Sequence, residues 1–158
     1  MLDTPDNVYN HPASVFCAKF IGSPSMNIMN AEYIDSRIII GDQSISLTPA
    51  WKRIAERLSD RKCFAGFRPE DIVFNACAGD DTIAGRVIYT EDYGNRYGVY
   101  IRIDGCTNEI IAIAGDKDSV PEEGSIVNIS VKNDRLHLFD GTTEKSLGYP
   151  DTETAERI

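Results

Sequence analysis

The sequence predicts a mainly β fold: short strands forming a small closed barrel or sandwich, with a helical arm at the N-terminus and one further short helix. Three observations carry this. Turn signals recur through the second half at Gly79-Asp80-Asp81, Gly94-Asn95, Asp104-Gly105, Gly115-Asp116, Pro121-Glu122-Glu123-Gly124 and Asn133-Asp134, the spacing of roughly 8–12 residues that short strands give. Between them apolar residues alternate, as in Val99, Ile101 and Ile103, or stand at Ile126 and Ile129 with Val127 and Val131. That is the period of two of a half-buried strand. Helix signals are confined to residues 5–21 and to the segment opened by Thr48-Pro49.

Taken in order, residues 1–25 form the arm. Pro5 suits a first helical turn, Pro12 divides two short helices, and Val15, Phe16, Lys19 and Phe20 make an apolar stripe that Gly22-Ser23-Pro24 ends. Residues 26–144 form the β region. It opens with strands at Met26–Ile34, Arg37–Ile40 and Ser44–Leu47, separated by turn signals at Asp35-Ser36 and Gly41-Asp42. Thr48 then caps a helix with Pro49 in its first position. Trp51, Ile54, Ala55 and Leu58 share one face of it, and Lys52, Arg53, Glu56 and Arg57 the other. Trp51 is expected to anchor the core; a sugar-stacking platform is the rival role. Further strands are expected at 62–67, 71–76, 82–91, 97–103, 108–114, 125–131 and 134–139. A five-stranded barrel of the oligonucleotide/oligosaccharide-binding (OB) type satisfies its strand edges in about this length. The polar tail, 145–158, is expected to fray.

Composition narrows the function. With a formal net charge of −9 and a pI near 4.6, the chain lacks the basic face that a nucleic-acid binder or an anionic membrane surface demands. No apolar run reaches the ~18–20 residues of a membrane span, and no signal-peptide pattern opens the chain. Cys17, Cys63, Cys77 and Cys106 show no C-x-x-C pairing, and His11 and His137 are the only histidines. Three of the four cysteines sit in apolar or β-like surroundings, so buried reduced thiols are expected rather than a disulfide framework or a metal centre. The pairs Asp80-Asp81 and Glu122-Glu123 stand in no calcium-loop pattern and have no nucleophile beside them. They read as solvated turns.

The most informative stretch is Gly66-Phe67-Arg68-Pro69-Glu70-Asp71-Ile72. Pro69 fixes φ and removes a donor, so a strand ladder must break there. Arg68 stands where it can close a local ion pair with Glu70 and Asp71 over the corner. This string resembles the G-[IVF]-R-P-E-D-[IV] signature in the C-terminal regulatory part of ATP-binding subunits of sugar-importing ABC transporters, of the maltose and glycerol-3-phosphate importer type. Thr4-Pro5 through Tyr9, Pro12-Ala13, Phe16-Cys17-Ala18-Lys19-Phe20-Ile21-Gly22 and Pro24-Ser25-Met26-Asn27 is similar to that family's T-P-x-x-[IV]-Y-x-x-P-A-x-x-F-V-A-x-F-I-G-x-P-x-M-N, with Cys17 where Val is usual. Leu136-His137-Leu138-Phe139-Asp140 resembles its closing strand.

The resemblance implies OB-like/TOBE β-barrel units built partly from shared strands, reached through the arm as the hinge from an ATPase domain. No G-x-x-x-x-G-K-[ST] phosphate loop occurs, since Gly79 to Gly85-Arg86 has the wrong spacing and ends in Arg-Val. The chain is thus expected to be a detached regulatory region with no catalytic residues and no cofactor of its own. ATP and Mg would belong to the absent ATPase domain. The implied partners are a second copy as homodimer, its own ATPase domain, the transporter's membrane subunits through that domain, and a cytosolic regulatory protein. The implied place is the cytoplasm, at the inner face of the membrane. Candidate contact residues are Arg68, Pro69, Glu70, Asp71, Tyr93 and Tyr97, the tyrosines standing in a cluster with Tyr89 and Tyr100 around Asp92-Tyr93-Gly94-Asn95-Arg96. The rival function is a small-ligand module sensing an oxyanion or the imported solute, for which Ser23, Ser25 and Arg68 are available without a focused cationic nest. His137 is expected to be a half-buried, hydrogen-bonded histidine rather than a base.

Overall fold

The computed structural model describes residues 9–22 and 24–150. The first part of the expected arm helix, Ser23 and the last eight residues lie outside them. Two helices lie wholly within the described residues, α1 (Val15–Phe20) and α2 (Pro49–Ala55). The strands are β1 (Asn27–Ile34), β2 (Arg37–Ile40), β3 (Gln43–Ser46), β4 (Lys62–Phe67) and β5 (Ile72–Asn75), followed by β6 (Ile83–Asp92), β7 (Tyr97–Ile103), β8 (Glu109–Ala114), β9 (Ile126–Val131) and β10 (His137–Asp140). The fold is mainly β. No described helix is long and apolar enough to cross a membrane.

The strands form two five-stranded antiparallel sheets, ordered β10-β4-β1-β2-β3 and β5-β9-β6-β7-β8. No strand belongs to both, which corrects the expectation of shared strands. The chain interleaves instead. It crosses from the first sheet to the second between β4 and β5, and returns between β9 and β10, where His137 pairs with Gly66 and Asp140 with Cys63. What the sheets share is a core. Ile38, Ile40 and Ala65 of one sheet belong to a single apolar cluster with Val99, Ile101 and Ile110 of the other, and with Trp51 and Ile54 of α2. Thr48 caps α2 through its side chain, as its place before Pro49 predicts.

Two carboxamides clamp the sheets together. Asn27 Nδ2 donates to the Ile111 carbonyl at 2.9 Å while its Oδ1 accepts from the Ile111 amide at 2.8 Å. Gln43 makes the same pair of bonds with the backbone of Ala84. Each amide group thereby acts as one rung of a strand ladder, the way a buried polar side chain avoids an unmet donor or acceptor. Asp81 is more than a solvated turn residue: its carboxylate accepts from the backbone and hydroxyl of Ser46 and lies 3.5 Å from Arg37. The Ser46 backbone bond is the main reason its pKa sits below the usual carboxylate value.

Two further expectations need correction. The strand expected over 134–139 begins only at His137, because Asn133–Arg135 is a 3-10 turn. Asn133 fixes that turn: its Oδ1 accepts from the Thr48 amide, its Nδ2 donates to the Ser46 carbonyl, and its own carbonyl accepts the Trp51 indole at 2.6 Å. Trp51 is thus a core anchor with its one polar atom satisfied. The tail expected to fray from residue 145 is packed over 145–150. Lys145 and Ser146 form bridges to Ser14 and Phe139, the Leu147 amide donates to Leu138, and Tyr149 is buried in the core. Leu147 and Tyr149, two apolar anchors in a polar string, hold that segment down.

Candidate functional site

The site is built where the chain crosses between the sheets. β4 ends at Phe67, Pro69–Asp71 makes one 3-10 turn with the Asp71 amide donating to the Arg68 carbonyl at 3.0 Å, and β5 starts at Ile72. Pro69 sits in the first position of that turn, where its missing donor costs nothing. The sequence suggested that Arg68 pairs with Glu70 and Asp71 over this corner. The structure turns Arg68 toward the arm instead. It is 2% exposed. Its guanidinium donates to the carbonyl of Ile21, the residue capping α1, and to that of Tyr9 at 3.0 Å, with Cζ 4.2 Å from the centre of the Tyr9 ring. The physical reason is the open C-terminal end of α1. Its last carbonyls have no partner within the helix and carry partial negative charge, which a planar fork of donors matches. The ion pair at the corner is made by Arg135 of the second crossing, 4.0 Å from Asp71.

Glu70, the exposed member of the corner, accepts from the Tyr9 hydroxyl at 2.8 Å. Burial first, and then that bond, push the Tyr9 phenol up to about 12, so it remains a donor at any physiological pH. Burial likewise raises Asp71, against the opposing pull of Arg135.

The arm, the two crossings and the Tyr149-Pro150 segment line a cavity of about 600 Å³ that is open on one side to solvent. Tyr9, Asn10, Arg68, Glu70, Asp71, Asp134 and Arg135 line its polar part. Rings line the rest: His11 lies 4.3 Å, His137 5.3 Å and Trp51 6.0 Å from Tyr149, centre to centre. His137 is buried, and its Nδ1 lies 2.7 Å from the Tyr149 hydroxyl. Desolvation, helped by the nearby positive charge of Arg68, holds its pKa down to about 3. It is neutral at pH 7, hydrogen-bonded as expected but buried rather than half-buried.

The structure separates the tyrosines that the sequence grouped. Tyr89 stacks on Tyr100 at 4.1 Å, and the hydroxyls of Tyr93 and Tyr100 lie 3.1 Å apart. The bond to Tyr93, then burial, raises the Tyr100 phenol well above its ordinary value. Tyr97 leaves this group, packing against the core on the face of β7 that carries Val99 and Ile101. Strand parity in the sequence already contained this split, since 97 and 100 are three apart. Tyr93 lines a cavity separate from the corner, with Pro24, Asn95 and Arg96.

Sequence reasoning treated the arm stripe as one apolar face, and the structure divides it. Val15 and Ala18 pack on Met26 and Phe139, whereas Phe16 and Phe20 are 68% and 71% exposed, with rings 4.5 Å apart. Burial raises the pKa of the Cys63 thiol to about 12 and lifts that of Cys106, so neither has the character of a nucleophile. Among the described residues, no group of three or more His, Cys, Asp or Glu is placed to hold a metal ion.

Comparison with known proteins agrees with this architecture. Residues 22–72 match the MalK OB fold domain and residues 65–139 the TOBE domain. The two matches overlap at the corner. The chain is 34% identical over 150 residues to the sn-glycerol-3-phosphate import ATP-binding protein UgpC of Chromobacterium violaceum, covering 94% of this chain and 39% of that protein. It is 30% identical over 152 residues to the trehalose/maltose import ATP-binding protein MalK of Thermococcus litoralis, covering 91% and 40%. The chain thus spans about two fifths of the length of these relatives. Among solved structures, the cytoplasmic molybdate-binding protein ModG superposes with a TM-score of 0.56 at 14% identity, over 71% of this chain and 94% of that one, a likeness of fold. With both domain models matched in order and the alignments to these relatives running over nearly its whole length, the chain belongs to the family of MalK-type OB and TOBE domains found in such import ATP-binding proteins.

Proposed function

We propose that this region holds paired ATPase domains of an importer together through their opening and closing, and offers a surface to a cytosolic regulator. The observation that supports it most is the locked arm. Arg68 ties the end of α1 to the crossing between the sheets, and α1 also packs on Met26 and Phe139. An arm held this way transmits displacement of an attached domain to the β region as a rigid body. Phe16 and Phe20 face outward from the same helix. They form the contact for the subunit's own ATPase domain, through which the region reaches the membrane subunits at the cytoplasmic face. Two such regions pairing about a two-fold axis raise the local concentration of one ATPase domain beside the other. A regulator that binds one arrangement better shifts the open–closed balance. In this reading the region has no nucleotide or metal of its own, and no bond is broken in it.

The test is sedimentation at low and high ionic strength. Each copy carries a net charge of −9, so screening should strengthen self-association as salt rises. Association that weakens with salt would point to ion pairs between copies, and a monomer at high micromolar concentration in both buffers would remove the pairing role from this region. A second reading, a small-ligand-sensing module, is supported by the cavity at the crossings.

A further inference from the structure

We propose that the cavity between the arm and the two crossings binds a neutral polyhydroxy compound of mono- to disaccharide size. This deepens the ligand-sensing reading and is independent of the pairing role. The volume, about 600 Å³, falls within the ~300–1,000 Å³ of small-molecule sites. The wall chemistry selects among ligand classes. Glu70, Asp71 and Asp134 present acceptors and Arg135 presents donors, while Tyr149 and Tyr9 supply ring surface. A hydroxyl both donates and accepts, and a polyol repeats it along an otherwise apolar carbon frame. It can therefore meet carboxylates and a guanidinium with its hydroxyls and lay its C–H faces on the rings.

Charged ligands fit less well. The terminal nitrogens of Arg68 are directed at the carbonyls of Ile21 and Tyr9 and only its buried Nε is left without a partner, while Arg135 already pairs with Asp71, so an oxyanion would meet these two guanidiniums among three carboxylates. An amine would meet the charge of Arg135 and the buried charge of Arg68 behind it. The near balance of opposite charges suits a ligand that carries none.

The position gives such binding a consequence. The cavity wall is drawn from residues 9–11, 68–71, 134–137 and 149–150, segments remote in sequence of which the first joins the wall only when the arm is docked. A ligand held by all of them stabilises the docked arm by mass action. Occupancy would thereby stiffen the joint through which the region acts on its partners.

The experiment is isothermal titration of the 158-residue chain with glucose, maltose, trehalose and glycerol. Sulfate, molybdate, sn-glycerol 3-phosphate and putrescine serve as the charged arm. At least one neutral compound should bind saturably at millimolar concentration or tighter, and none of the charged ones more tightly. Glu70→Gln and Asp134→Asn, both exposed positions, should each weaken that binding by about tenfold, with thermal melts showing the fold retained. Tyr93→Ala, in the separate cavity, should leave it unchanged. No saturable neutral ligand, preference for an oxyanion or the amine, or affinity indifferent to Glu70→Gln and Asp134→Asn would each overturn the site. A monomer in sedimentation with saturable sugar binding would remove the pairing role and leave the site standing; the converse would remove the site alone.

Discussion

His137 makes the stability of this protein pH-dependent in a way that can be calculated. The imidazole is buried beside Tyr149 and close to the positive charge of Arg68, and its pKa falls from 6.5 to about 3 on folding. The sign follows from proton counting. Above pH 6.5 both states are neutral and the full stability is present. Between 6.5 and about 3 the unfolded chain binds a proton that the native state refuses, so stability falls as pH falls, at up to about 1.4 kcal/mol per pH unit. Going from pH 7.5 to pH 5 should cost about 2 kcal/mol through this one group. Carboxylates titrate over an overlapping range, so the measurement is a difference. Urea unfolding of the parent and of His137→Gln is followed at pH 7.5, 6 and 5, and the parent should lose about 2 kcal/mol more than the variant over that span. Tyr149→Phe should keep the parent's pH dependence while lowering stability at every pH, because burial and not the phenol is the main cause of the depressed pKa. Identical pH profiles for the parent and His137→Gln, or a titrating His137 resonance near pH 6.5, would refute the reasoning.

Two further outcomes are expected from the crossing. Arg68→Met removes the donors that hold the carbonyls of Ile21 and Tyr9 and should destabilise by about 2–4 kcal/mol; Arg68→Lys keeps the charge without the fork and should not restore the parent, both read by urea unfolding and by proteolytic release of the arm. Ile72→Asp puts a carboxylate at a buried position opening β5 and should cost about 3 kcal/mol or more; a thermal midpoint within a degree or two of the parent would mean that β5 does not seal the core.

Much of this fold could be read from local signals. Thr48-Pro49 marks the start of α2, Gly and Asp pairs mark the hairpins, and alternation marks β7 and β9, because capping, turn formation and strand pleating each depend on residues a few positions apart. The Arg68-Pro69-Glu70-Asp71 string also identified the corner correctly, since proline's effect on a ladder is local. The direction of the Arg68 side chain was not legible. Glu70 and Asp71 are its neighbours in sequence, whereas the carbonyls it serves belong to residues 59 and 47 positions away. Over residues 145–150 the expectation of a frayed tail missed for the same reason: a polar string looks mobile until Trp51 and His137 provide something for Tyr149 to pack on.

By itself the sequence determined the β class, the start of α2, the turns and the point at which the chain leaves its first sheet. It also carried the motifs that place the chain in its family. Tertiary structure decided the interleaving that returns β10 to β4, the amide clamps of Asn27 and Gln43, the outward aim of Phe16 and Phe20, and the cavity at the crossings. Backbone preference and side-chain period act over a few residues, so they leave their mark in a short stretch of sequence. Which carbonyl a buried donor finds, and which four segments close around a cavity, depends on contacts across dozens of residues that exist only once both sheets have met over one core.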